Sequence, residues 1–255
     1  DNVTLTGGSG KAAIELQNKA RLVYTNESKA AERLGTGYAV TVGGTNYAFG
    51  ISGGLDSAID LLPDEGGTVK LLGDYAGTLQ IKFGRKHDNK PVVLDLNGNI
   101  FDCTYATGTA ALLLDRPNLK LTVKNGTISS TADYVVYGYL DNCGADFSGY
   151  NLKLTLDGVT LKGTKSGFSI NGTLTGNETV IKNSTIEAAD TGIYYPAAGT
   201  LAIENSKITG EKLGVAIKGG AVNISGDQTK IVATAEKKEP NDYYGGGSGA
   251  ITAEG

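Results

Sequence analysis

The only histidine of this 255-residue chain, His87, stands in "GRKHDNKP" between Arg85 and Asp88, where an imidazole near a carboxylate could act as a base. No second histidine or activated nucleophile accompanies it, so the run reads as a solvated turn. Two other stretches imitate ligand loops and fail at their key positions. "DLNGNI" at 95–100 begins like a calcium loop, but Ile100 holds the glycine position and Ala106 that of the closing glutamate. "GGSGK" at 7–11 has Leu5 where a phosphate loop starts on glycine, and Ala12 where Ser or Thr would hold Mg²⁺. No metal and no cofactor is expected.

The tyrosines are more informative. Tyr134, Tyr137, Tyr139 and Tyr150 crowd one stretch, Tyr194 and Tyr195 follow, and Tyr243 and Tyr244 stand near the end. An exposed tyrosine offers a flat apolar face with a polar tip, which suits stacking on a sugar ring or anchoring a protein. Tyr134, Tyr137, Tyr139, Tyr150 and Tyr194 are therefore the candidate ligand-binding residues, and packing under loops is the competing role. The two cysteines, Cys103 and Cys143, are read equally as a disulfide or as two buried thiols.

Composition bounds the scaffold that must hold these residues. Glycine is abundant at 38 residues while proline numbers 5, a balance that suits many tight corners between short strands. The net charge of −4 argues against a nucleic-acid surface, which needs clustered Lys and Arg. No apolar run is long enough to insert in a membrane. A chain that opens on Asp1 without a signal sequence is expected to be a mature secreted protein or an excised piece of a longer one.

Internal repeats settle the architecture. "LDLNGNI", "LTVKNGTI", "LTLDGVTL", "VIKNSTI", "AIENSKI" and a weaker "VNISGDQTKI" align. Their last apolar residues before a corner are Leu96, Val123, Leu156, Ile181, Ile203 and Ile224, at intervals of 27, 33, 25, 22 and 21 residues. Two positions after each marker stand Gly98, Asn125, Gly158, Asn183, Asn205 and Gly226, a ladder of the two residues that most readily turn left-handed. Such a period suits a coil of three short strands and three bends.

Three apolar ladders line the interior. The first pairs Leu94 with Leu96, then Leu121/Val123, Leu154/Leu156, Leu201/Ile203 and Val222/Ile224. The second is Ile100, Ile128, Leu161, Ile186, Ile208 and Ile231. The third comes from "GFSI", "GIYY" and "GVAI", with Phe168, Ile193 and Val215 inward, Tyr195 inward and Tyr194 outward. The fold is thus an all-β, right-handed parallel β-helix of about seven coils, roughly 34 Å long. Residues 68–235 form it. Residues 38–67 form an N-terminal cap with a short amphipathic helix over 55–62, ended by Pro63. Residues 1–37 fit helix or strand equally, and 236–255 are a tail or the start of a further coil.

With these residues in place, "VTVGGTNYAF…LDSAIDLLPDEGGTVKLLGD", "VVLDLNGNIFD" and the "IENSKITG" repeat resemble the pectin-lyase-like β-helix domains of adhesin-like bacterial cell-surface proteins of the gut Firmicutes type. The resemblance spans about 38–235. It implies an extracellular or surface-attached binding domain, with a glycan or a host or bacterial surface protein as partner, or a rigid spacer; it carries no catalytic residue.

Pectate lyases and polygalacturonases of the same fold work with clustered carboxylates on one outer sheet. Here the outward row reads Asp95, Thr122, Thr155, Val180, Ala202 and Asn223, one carboxylate in six. The next reads Asn97, Lys124, Asp157, Lys182, Glu204 and Ser225, which suits stacked charge pairs. A lyase or hydrolase acting on an acidic polysaccharide is the alternative, and would have to assemble its carboxylates from Asp95, Asp102, Asp115 and loop residues. An ice-binding Thr ladder begins at Thr122 and Thr155 and ends at Val180.

Overall fold

The structure, a computed structural model, describes residues 16, 20–24, 37–50, 54–82, 89–104, 109–140, 149–235 and 249–253. Short strands and left-handed corners wind the chain into a parallel β-solenoid of about six turns, with seven rungs on each of three faces among the described residues. The first face runs from Gly67–Leu71 through Pro91–Asp95 to Ala221–Ser225. The second starts at Tyr75–Ala76 and ends at Lys230–Ala233. In two rungs the chain bends from the first face to the second without leaving the strand, as in Lys120–Ser130 and Lys153–Gly163. The third face is a separate seven-stranded sheet from Leu79–Lys82 to Gly249–Ala253.

The register confirms one coil per repeat from Val123 onward: Val123 pairs with Leu156, Leu156 with Ile181, Ile181 with Ile203, and Ile203 with Ile224. The first repeat is displaced by two residues from the sequence alignment. Val123 lies over Leu94, and Leu121 over Val92, rather than over Leu96 and Leu94. The cause is a corner two residues longer than those of the four coils that follow. Asn97 and Gly98 both have positive φ, 52° and 81°, and the Asn99 N–H donates to the Leu96 carbonyl at 2.8 Å. This is a two-residue left-handed turn. Leu96 stays buried but fills the corner, where a Cβ on Gly126 would lie 2.5 Å from its own Cβ. The same two residues shift the second ladder: Ile128 pairs with Phe101, which is buried, while Ile100 is exposed.

The third ladder follows the sequence reading, with Leu112, Val136, Phe168, Ile193 and Val215 stacked in register and all buried. One rung of the first ladder breaks the apolar rule. Thr179 sits between Leu154 and Leu201, is 1 % exposed, and its Oγ1 has no hydrogen-bond partner among the described residues. A buried hydroxyl without a partner costs about 1–3 kcal/mol. Thr179→Val, which keeps the branched shape, is expected to raise stability by about 1 kcal/mol, read as a higher urea midpoint with an unchanged m-value.

The N-terminal end is closed by an antiparallel hairpin, Gly37–Val42 with Thr45–Gly50, whose first strand pairs antiparallel with Gly67–Leu71. Arg21–Tyr24, from the segment that fitted helix or strand equally, adds a further antiparallel strand. The cap helix spans Asp56–Ile59, shorter than the amphipathic stretch 55–62, yet Leu55, Ala58, Ile59 and Leu62 are all buried. An antiparallel lid denies the first rung's backbone to any further parallel strand. At the opposite end Ile224 and Ile251 are 42 % and 47 % exposed, whereas their counterparts one rung earlier, Ile203 and Val215, are fully buried. No helix among the described residues is long and apolar enough to cross a membrane.

Candidate functional site

The tyrosines gather on the outside of the third face. In strand Tyr134–Gly138 both Val135 and Val136 are fully buried, while Tyr134 and Tyr137 are partly exposed with their rings together, and Tyr139 follows at the strand's end. Their rings stack like books on a shelf, Tyr134 on Tyr137 with centroids 4.3 Å apart and Tyr137 on Tyr139 at 5.8 Å, the planes within 12° of parallel. Tyr137 is covered on both faces. Tyr139 keeps one face outside the pile and is the most exposed of the three at 36 %.

Register brings a fourth ring to the same surface. The outward row runs Gln80, Leu113, Tyr137, Ser169, Tyr194 and Ala216. Tyr137 and Tyr194 are thus two rungs apart, about 10 Å along the axis. Ser169 between them is small and buried, so the two rings form the relief of this face. The Asn171 amide donates to the Tyr137 hydroxyl at 3.4 Å. Burial raises the Tyr137 pKa and the nearby Tyr139 and Tyr194 hydroxyls add to the rise, while the Asn171 bond opposes it. The Tyr137 hydroxyl is therefore held in its neutral form.

Tyr150 is not part of it. Its side chain is fully buried and its hydroxyl donates to the Leu114 carbonyl, so it belongs to the core and leaves the set of surface candidates. Cys103 is a buried free thiol whose pKa is raised, first by burial. Cys143, His87, Arg85, Asp88, Tyr243, Tyr244, Ala106 and the "GGSGK" run lie outside the described residues.

The carboxylates of the enzyme alternative are held in structural bonds. Because of the two-residue shift, Asp95 leaves the row of Thr122 and joins the charged one, which reads Lys70, Asp95, Lys124, Asp157, Lys182, Glu204. Signs alternate at every rung, with Lys124–Asp95 and Lys182–Asp157 each at 3.3 Å. Val93 takes the place expected for Asp95 beside Thr122. Asp102 accepts from the Thr104 N–H and hydroxyl at 3.1 Å, and Asp115, 6 % exposed, accepts from Gln80 at 2.9 Å.

The corner residues complete that row. Asn125, Gly158, Asn183, Asn205 and Gly226 all have positive φ and stand one position after the charged rung. Asn125 and Asn183 donate to Asp95 at 3.2 Å and Asp157 at 3.0 Å, so these side chains reach the preceding coil's carboxylate rather than each other. A second left-handed ladder escaped the sequence reading: Asn89, Asn118, Asn151 and Gly176, each two positions before the register row Pro91, Lys120, Lys153 and Glu178. Here asparagines do stack, with Asn151 donating to Asn118 at 3.1 Å. The repeated "NLKLT" of 118–122 and 151–155 was its signal.

Comparison with protein-family models, curated proteins and solved structures found no match for the chain.

Proposed function

We propose that this chain is a non-enzymatic binding domain, extracellular or attached to a cell surface, which displays the tyrosine row of its third face to a glycan or a protein on another surface. The observation that carries the reading is the grouping of Tyr134, Tyr137, Tyr139 and Tyr194 on one outward sheet face. A core-packing role would bury these rings as it buries Tyr150 and Tyr195. Parallel pairing on both sides fixes the strands that carry them, so binding costs little ordering entropy. The sequence resemblance to pectin-lyase-like domains of adhesin-like surface proteins supports the same setting.

The test is a glycan array run beside a lyase assay on polygalacturonate. Retention of one glycan class with no unsaturated product is the expected result. Appearance of unsaturated product would overturn the non-enzymatic reading, and absence of all retention would leave the solenoid a spacer.

A further inference from the structure

Building on the binding role just proposed, we infer that the ligand of the tyrosine row is an uncharged pyranose glycan, seated on the free face of Tyr139 and hydrogen-bonded by Asn171 and the hydroxyls of Tyr137 and Tyr194. Three observations point to this chemistry. The first is the shape of the pile. Tyr137 lies inside the pile, so flat apolar surface is offered only at its two ends, Tyr134 and Tyr139, and Tyr139 is the more exposed of them. One flat apolar face bordered by hydroxyls and an amide matches a sugar ring, whose C–H face stacks while its rim hydroxyls pair.

The second is the placement of polar groups. Asn171 stands one rung above Tyr139, because Gly138 pairs with Ile170, and it already touches the Tyr137 hydroxyl. Its Oδ1 accepts from the Thr173 N–H and hydroxyl at 3.0 and 2.9 Å, which fixes the amide with its NH₂ toward the tyrosines. The row thus holds an oriented donor beside phenols that both donate and accept.

The third is electrostatic. Along the Tyr134 edge of this face runs Asp133, Lys165, Asp190, Lys212, one residue before Tyr134, Ser166, Thr191 and Leu213, while the opposite edge holds Asp115 one rung before Tyr139 and Lys218 two rungs beyond Asn171. Lys165 pairs with Asp133, and Lys212 with Asp190 at 3.5 Å. The four charges of the Tyr134 edge sum to zero, and the charge nearest Tyr139 in register is the Asp115 carboxylate. Arg116, the arginine nearest this face in sequence, is buried at 1 % exposure. An acidic polysaccharide seated on Tyr139 would meet the Asp115 carboxylate first, whereas a neutral one meets no like charge.

Affinity electrophoresis of the full chain in gels holding xylan, β-glucan or galactan, beside polygalacturonate, tests the assignment. At least one neutral polymer should retard the protein, equally at low and high salt, and Tyr139→Ala should weaken that retention by about tenfold or more. Tyr137→Phe, which keeps the pile and removes the hydroxyl, should weaken it several-fold. Retention by polygalacturonate alone, lost as salt rises, would overturn the neutral assignment and leave the binding role standing. Wild-type retention by no polymer would overturn the glycan assignment, neutral or acidic, and leave a protein as the partner of the tyrosine row. Unchanged retention of the Tyr139 variant would place the ligand elsewhere.

Discussion

Gly192→Val is expected to cost about 3 kcal/mol or more, enough to remove a large part of the stability of an ordinary domain. The reason is space rather than backbone freedom. A Cβ at Gly192 would lie 2.7 Å from Ile208 Cγ2 and 2.6 Å from the Gly214 carbonyl oxygen, and neither can retreat from a packed wall. Ile208 is fully buried on the second face, so Gly192 marks where the third face presses directly on the second. Gly167, one rung below, would drive its Cβ into Ile186 in the same way. That contact is what the "G" of "GFSI" and "GIYY" provides. Urea unfolding should show a large fall in midpoint for Gly192→Val and a smaller one for Gly192→Ala. A Val variant as stable as the wild type would show that the two faces do not meet as described.

Alkali should unfold the solenoid between about pH 10 and 12. Burial pushes the Tyr75 and Tyr195 phenols up to about 12, and that of Tyr38 further still. In the unfolded chain the same groups ionise near the ordinary tyrosine value of about 10. Stability is therefore unaffected by them below about pH 10 and falls as pH climbs from there toward the folded value. Ionising two groups displaced this far costs the folded state on the order of 5 kcal/mol relative to the unfolded chain. Tyr195→Phe separates this cause from the titration of surface lysines. The Tyr195 hydroxyl is fully buried and has no hydrogen-bond partner among the described residues, so its removal sacrifices nothing at neutral pH. The variant should be at least as stable at neutral pH and should unfold at a higher pH than the wild type. Tyr75→Phe should be less stable than the wild type at neutral pH, because that hydroxyl accepts from the Leu55 N–H at 3.1 Å and donates to the Thr78 carbonyl at 2.8 Å. An unshifted alkaline midpoint in Tyr195→Phe would assign the transition to other groups.

How much of this was legible in the sequence depended on which residues had a single physical reason to be there. Asn125, Asn183 and Asn205 were readable because a left-handed corner accepts few residue types, and the repeat showed the same exception at one phase. The third ladder was readable because "GFSI", "GIYY" and "GVAI" carry their own phase mark. The first coil was misaligned because Leu94 and Leu96 are both buried, and alternation alone cannot tell a rung residue from a corner filler. Only the pairing of Val123 with Leu94 decides it. Among the candidate binding residues, clustering in sequence grouped Tyr150 with Tyr134, Tyr137 and Tyr139. Yet Tyr150 lies at the first-face corner, where its carbonyl accepts from the Asn118 N–H, and its ring turns inward. Depth in a solenoid follows phase within the coil, and the long segment between the Tyr134 strand and Tyr150 hides that phase.

The two alternating charge rows impose a rule of inheritance on the molecule. Lys70, Asp95, Lys124, Asp157, Lys182 and Glu204 change sign at each rung, and Asp133, Lys165, Asp190 and Lys212 do so on another edge. Excising one coil brings like against like in both rows at once, for example Lys124 over Lys182 and Asp133 over Asp190, and like charges directly opposite are destabilising. Excising or duplicating two coils restores the alternation in both. The fold therefore has a parity: its length can change in even steps without electrical penalty, and an odd step must be followed by charge reversal along everything beyond the junction.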